Sequence, residues 1–214
     1  MNGTELATVL TLAFARLANS SDELRKLDAA VGDGDLGITV TKGAEAVGLR
    51  LSELAPDVLP GDVILATAEA FGTANPSTFA SLVSSGLVAG VQTVNGLEEL
   101  STPEFVALGK AAAATIMRRG KSSVGDKTLL DALVPSLDAA ELHADDGAVA
   151  LKAAIAAAAL GIDSVTGIAA NKGRAAWAAE RGIGIPDAGA TAYLRFLDAL
   201  NYAMIEVNDR WESS

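Results

Sequence analysis

The sequence predicts an all-α fold, a single domain of about eight helices, and three observations carry that expectation. Apolar residues recur at helical spacing along almost the whole chain, and no segment reads convincingly as a strand. Helix-opening signals repeat at intervals, with proline and glycine between them. Half of the residues are apolar and only 4% are aromatic. The plentiful alanine favours helix and lets helices pack closely.

Leu6, Val9, Leu10, Ala13, Phe14 and Leu17 form the first stripe, after a Thr4 cap. Ser20 and Glu23 fit a capping box that opens a second helix to about Val31. The run from Gly32 to Gly37 breaks it, and a third helix extends to about Leu54. Pro56, Pro60 and Gly61 punctuate the next connection. Helices are expected over 62–71, 77–94 and 103–117, the last with Ser101 and Glu104 as a capping box and Pro103 in the first turn. A glycine-bearing loop covers 118–127. Helices follow over 128–140, 146–160 and 164–179, then a loop over 181–189. A final helix carries Tyr193, Leu197, Leu200 and Met204 on one stripe.

At 214 residues the chain suffices for one well-buried core and is marginal for two, so residues 1–214 are expected to be one domain. Loops stand at Gly32, Gly72, Gly120 and Gly182, and in an up-and-down bundle several such loops can gather at one end, where a site can be assembled. The net charge of −11 argues against a nucleic-acid partner, which needs lysine and arginine to displace counterions. A phosphate ligand stays open if divalent cations carry the attraction. The absence of cysteine excludes disulfides and thiolate metal sites. The first residues lack a basic segment and apolar core of a secretory signal. The most apolar stretch, 147–162, contains Lys152 and is expected to be too short for a bilayer. The expectation is a cytoplasmic protein with no membrane partner.

Three motifs match only in outline. Gly32, Gly34 and Gly37 satisfy the dinucleotide fingerprint, but a polar helical segment precedes them where a strand is required. Two carboxylates inside that loop also repel a phosphate unless a metal intervenes. The segment from Gly120 to Thr128 is one residue away from a phosphate-binding loop, because Asp126 displaces Lys127 from the place after Gly125. Asp33 and Asp35 resemble the start of a calcium loop, yet Ala44 stands where the bidentate glutamate belongs.

Asp28, Asp33 and Asp35 are the chemically informative residues. The glycines among them allow a tight backbone that brings the side chains to a common centre. Clustered carboxylates repel, and hard divalent cations relieve the repulsion. Magnesium takes one or two protein carboxylates and completes its shell with water and phosphate oxygens. Three aspartates therefore suit two magnesium ions against a polyphosphate. Solvated surface carboxylates fit the spacing equally well.

The segments Leu27-Asp-Ala-Ala-Val-Gly-Asp-Gly-Asp-Leu-Gly, Arg119-Gly-Lys-Ser-Ser-Val-Gly-Asp-Lys-Thr and Asn171-Lys-Gly-Arg-Ala resemble the L subunit of dihydroxyacetone kinase. The likeness continues through Glu180-Arg-Gly-Ile-Gly to Asp187-Ala-Gly-Ala-Thr, so it runs along nearly the whole chain in order. It implies an antiparallel eight-helix barrel with the nucleotide, ADP or ATP, at one end. Asp28, Asp33 and Asp35 match the magnesium ligands of that family. Leu36, Gly37, Ile38 and Thr39 match phosphate contacts at a helix start. Ala74 and Asn75 match a second phosphate-side turn, and Gly120 and Leu129 match positions near the base and ribose. Arg174, Asp187, Ala188 and Gly189 match the remaining nucleotide contacts. Arg174 is nominated as the catalytic cation, and a solvated ion pair with Glu180 or Asp187 fits it equally well. Two departures stand out. Leu36 occupies a place where histidine is common, and Thr73-Ala-Asn-Pro replaces a common Gly-Ala-Ser-Gly.

The resemblance also implies a partner, a K subunit that holds a small ketose covalently through a histidine. The one histidine here, His143, lies in a polar stretch and reads as a surface residue. The expected function is phosphoryl donation to dihydroxyacetone or a related ketose held by that partner. Recharging is by ATP exchange or by a phosphotransferase-system phosphocarrier. The alternative is a non-catalytic nucleotide sensor that docks on a regulator.

Overall fold

A computed structural model describes residues 1–212, and the side chains of Arg174, Trp177, Ala178, Ala179, Arg210, Trp211 and Glu212 lie outside the described set. Among the described residues nine α-helices alternate with loops: α1 (Gly3–Leu17), α2 (Ser21–Val31), α3 (Leu36–Ser52), α4 (Pro60–Thr73), α5 (Thr78–Val91), α6 (Thr102–Gly120), α7 (Leu130–Glu141), α8 (Gly147–Thr166) and α9 (Ala188–Glu212). The one extended pairing among them is an isolated antiparallel bridge between Asn2 and Glu99.

Eight of the helices close into a ring. α1 packs on α3, then α4, α5, α6, α7, α8 and α9 follow in order, and α9 returns to α1. Each buries one stripe: Leu6, Val9, Ala13 and Leu17 on α1, and Val40, Ala44, Val47 and Leu51 on α3. Inside lies an apolar space of about 520 Å³ lined by Phe14, Phe71, Phe79, Phe105, Phe196 and aliphatic side chains. α2 stands outside the ring, against α3, α9 and a 3-10 segment, Arg174–Gly182. Arg195 on α9 holds it with a two-pronged bond to Glu23, at 2.8 and 2.7 Å.

Several helix ends differ from expectation. The cap of α1 is Asn2, which forms a capping box with Glu5, so the helix starts before Thr4. Ser20 makes no side-chain cap, and a 3-10 turn, Ala18–Ser20, leads into α2. Ser101 and Glu104 do form their box. No separate α-helix spans 164–179. Instead α8 continues to Thr166, and a turn and the 3-10 segment follow. This also corrects the length expected for the apolar stretch: at 20 residues α8 is long and apolar enough to cross a membrane by length and composition. In the ring its buried Ala150, Ala154, Ala158, Ile162 and Val165 belong to the stripe of a core helix packed on α7 and α9.

The tightest contact in the ring is between α7 and α8. Pro135 lies inside α7 and cannot donate to the carbonyl of Asp131. Gly161 of α8 passes so close that a Cβ there would sit 1.9 Å from that carbonyl oxygen. Gly161→Ala should therefore force the helices apart. An overpacking cost of about 1–3 kcal/mol corresponds to a loss of several degrees in thermal midpoint, readable by circular dichroism. An unchanged midpoint contradicts the close approach.

Candidate functional site

Because neighbouring ring helices run in opposite directions, four connections share one end: 32–35, 74–77, 121–129 and 167–187. Contacts between them fix the arrangement. The Asn75 amide donates to the hydroxyl of Thr39 at 3.1 Å and accepts from Lys42 at 3.5 Å. The Asn171 amide donates to the carbonyl of Asp126 at 3.1 Å. A Cβ on Gly182 would meet Val31, and one on Gly189 would meet Phe79.

The aspartates converge at the junction of α2 and α3. Asp28 is on the last turn of α2, Asp33 is in the loop, and Asp35 precedes the first turn of α3. One carboxylate oxygen from each lies within 4.8 Å of the others, with Asp33 exposed and Asp28 and Asp35 half-buried. Gly34 has a φ of 75°, a left-handed conformation that glycine adopts without strain. Gly37 lets α3 approach α2, since a Cβ there would sit 2.3 Å from the Ser21 carbonyl. Asp28 accepts from the amide of Leu36 at 3.2 Å. Burial raises its carboxyl above the usual range, the Leu36 amide draws it down, and the charges of Asp35 and Asp33 raise it further. Three hard oxygen donors this close fit magnesium, and the first-turn amides of α3 beside them fit an anion.

The other expected residues surround this point. Leu36, Gly37 and Thr39 are buried at the start of α3, whereas the side chain of Ile38 is 49% exposed. The Thr39 hydroxyl meets Asn75, so it ties the second loop to α3. Ala74 and Asn75 are half-buried beyond the end of α4. Gly120 ends α6, and half-buried Leu129 packs on the cluster of Ala113, Ile116, Leu130 and Leu133. Arg174 opens the 3-10 segment, and its side chain lies outside the described residues. Ala188 is buried and Gly189 half-buried in the first turn of α9.

Asp187 caps α9, its carboxylate accepting from the Ala190 amide at 2.7 Å. Burial pushes its pKa up to about 6, and the charge of Asp131 adds to the rise. The amides of Ala190 and Gly189 and the charge of Lys127 oppose it.

Two features escaped the sequence reading. An open cleft beside Gly120 is lined by Pro76, Ser77, Thr78, Ser81, Leu82 and Arg119. Lys127, which looks like a phosphate-loop lysine, is 3% exposed with its ammonium turned inward. The left-handed Lys127 backbone, φ 61°, carries no signature in a non-glycine sequence position. His143 is exposed in the connection after α7, the length of that 12-residue helix, about 18 Å, away from the loop end.

Comparisons with known proteins place the chain among relatives. The family model described as the DAK2 domain matches residues 30–202. The ADP-binding subunit DhaL of the PEP-dependent dihydroxyacetone kinase of Escherichia coli is 26% identical over 209 residues, which cover 96% of this chain and 99% of that one. The corresponding DhaL of PEP-dependent dihydroxyacetone kinase 2 of Listeria innocua is 30% identical, covering 88% of this chain and 89% of that one. An L-erythrulose kinase of Pectobacterium atrosepticum is 33% identical over 86% of this chain, which spans only 32% of that longer protein. The crystal structure of the dihydroxyacetone kinase from C. freundii in complex with AMP-PNP and Mg2+ superposes with a TM-score of 0.74 at 24% identity. That match covers 92% of this chain and 33% of the other, and it establishes the shared all-α fold.

A carboxyl whose folded pKa stands above its unfolded value stabilises the fold when protonated. The contribution of Asp187 is therefore full below 3.8 and lost as pH rises through about 6. Asp187→Asn keeps an oxygen for the Ala190 amide and removes the titration. Its thermal midpoint should gain on that of the wild type as pH is raised across this interval. A difference independent of pH contradicts the assignment.

Proposed function

The chain belongs to the DAK2 domain family, and from that membership we propose that it is the nucleotide-holding, phosphoryl-donating subunit of a kinase for dihydroxyacetone or a related small ketose. Residues 1–214 then form one nucleotide-binding domain, acting in the cytoplasm. The observation that carries the reading is the convergence of the Asp28, Asp33 and Asp35 carboxylates at the first turn of α3. A net charge of −11 repels ADP or ATP, so a metal-carrying acidic site is the form of nucleotide site this chain can use.

Two magnesium ions held there would neutralise the phosphate oxygens on which negative charge gathers during transfer. The protein's own part is positional. The aspartates orient the metal-bound phosphates, and the amides of Leu36 to Thr39 face them along the helix axis. Asn75 braces that turn from the second loop. Leu129 walls the base and ribose beside Gly120, with the cleft of Ser81, Leu82 and Arg119 adjoining. Asp187 to Gly189 close the far side, and Arg174 supplies the positive contact to the transferring group.

No histidine is near this end, so the ketose is presented by a separate K subunit that holds it covalently. The rim suits such a partner: Ile38, Val124, Ile168 and Ile183 are each 43–52% exposed on two of the four connections and the adjoining turn of α3. Exposed apolar groups around a polar site are what a transient docking face requires. Dihydroxyacetone and a tetrulose both suit this reading, because the ketose contacts belong to the partner. Recharging is by exchange of ATP or by a phosphotransferase-system phosphocarrier.

The test is phosphoryl transfer from ATP and magnesium to dihydroxyacetone or erythrulose, with a ketose-binding K subunit added. Transfer should require both chains. Asp33→Asn should lower it by about 100-fold, the upper end of what disturbing the surroundings of a metal site produces. Ile183→Asp should weaken transfer while leaving the affinity for ADP unchanged. Nucleotide binding without transfer to any presented ketose turns the reading to a sensing module.

A further inference from the structure

Lys127 is the one buried lysine or arginine among the described residues, and its ammonium bonds main-chain carbonyls while the charge of Asp187 acts on it from nearby. Its ammonium donates to the carbonyls of Thr166 at 2.9 Å, Ile168 at 2.9 Å and Gly182 at 2.7 Å. Three protons meet three acceptors, so none is left for a phosphate. Thr166 is the last residue of α8, where aligned carbonyls carry partial negative charge. Ile168 precedes the segment that carries Arg174, and Gly182 is the last residue of that segment.

The base from which Lys127 reaches is itself fixed. The buried carboxylate of Asp131 accepts from the amides of Gly125 and Thr128, bracketing Lys127 and bolting its loop to α7. The Asn171 amide bonds the Asp126 carbonyl and joins the two loops, and the Gly184 amide bonds the Thr166 carbonyl at 2.8 Å and ties the 167–187 connection to the end of α8. A buried cation is a poor way to gain stability, because desolvation offsets much of its attraction and an apolar replacement often serves as well. What the ammonium does supply is direction: only a small cation with three donors draws these three carbonyls to one point.

We propose that Lys127 is a positioning residue of the nucleotide site, which fixes the 167–187 connection through the carbonyls of Thr166, Ile168 and Gly182 and so sets Arg174 and Asp187 against the nucleotide. The inference rests on the reading of this end as a magnesium-nucleotide site. It separates Lys127 from the phosphate-binding lysine that its glycine-rich surroundings imitate.

The experiment measures the dissociation constant for ADP with magnesium by calorimetry, in the wild type, Lys127→Cys and Val207→Ala. Val207 is buried on α9 outside the loop end and serves as a control for general destabilisation. Since the chain has no cysteine of its own, unfolded Lys127→Cys can be aminoethylated at that position alone and refolded, restoring an ammonium of nearly the same reach. Lys127→Cys should bind at least about tenfold more weakly, as loss of a supporting group does, and aminoethylation should restore the affinity. Val207→Ala should bind as the wild type does, even with a lowered midpoint. If Lys127→Cys does not fold, Lys127→Arg takes its place in the comparison, since a planar guanidinium cannot meet the same three acceptors. Binding within twofold of wild type, or equal losses in the Lys127 and Val207 variants, overturns the positioning role alone. A wild type that binds no ADP with magnesium overturns the nucleotide reading itself.

Discussion

The repulsion among three carboxylates gathered within 4.8 Å of one another is the constraint on which the rest of this end of the molecule depends. In a chain of net charge −11, such a cluster has to be held by local structure. The last turn of α2 supplies Asp28, left-handed Gly34 reverses the chain, and the missing side chain of Gly37 lets α3 seat against α2. The Leu36 amide, bonded to Asp28, fixes the start of α3 at the cluster. A helix start with its partial positive charge thus lies beside the carboxylates, and both features attract the two halves of a metal-bound phosphate.

The ring makes this local arrangement into a site. Antiparallel neighbours deliver four loops to one end, and named bonds brace them: Asn75 of the second loop to Thr39 of α3, Asn171 to Asp126, and Lys127 to the carbonyls around the segment leading to α9. The opposite end is closed by main-chain pairing of Met1 with Leu100 and by the caps at Asn2 and Ser101. It carries no comparable group of acidic side chains among the described residues. Function and closure are therefore separated by the length of a helix.

Much of this was legible in the sequence where one residue type serves one local purpose. The stripe of α1, the Ser101 capping box and the glycine-spaced aspartates all act over a few residues, and the structure has them as the pattern implies. The readings that failed depend on distant partners. Thr4 looks like a cap, but Asn2 takes that role with Glu5. The alanine-rich 164–179 region suits a helix, yet Gly167 and Gly173 divide it and Lys127 draws its carbonyls inward. The burial of Lys127 is invisible to spacing arguments, because its three acceptors lie 39, 41 and 55 residues away. The raised pKa of Asp187 likewise comes from burial and from Asp131, which no local motif encodes.

The central claim is that the aspartate cluster binds nucleotide through divalent metal. Calorimetric titration of ADP into the metal-free protein, first in excess magnesium and then in a chelator, tests it most directly. Saturable binding at one site with magnesium, absent in the chelator and absent in Asp33→Asn, is the result the account predicts. Equal affinity with and without magnesium, or binding undiminished in Asp33→Asn, would contradict it.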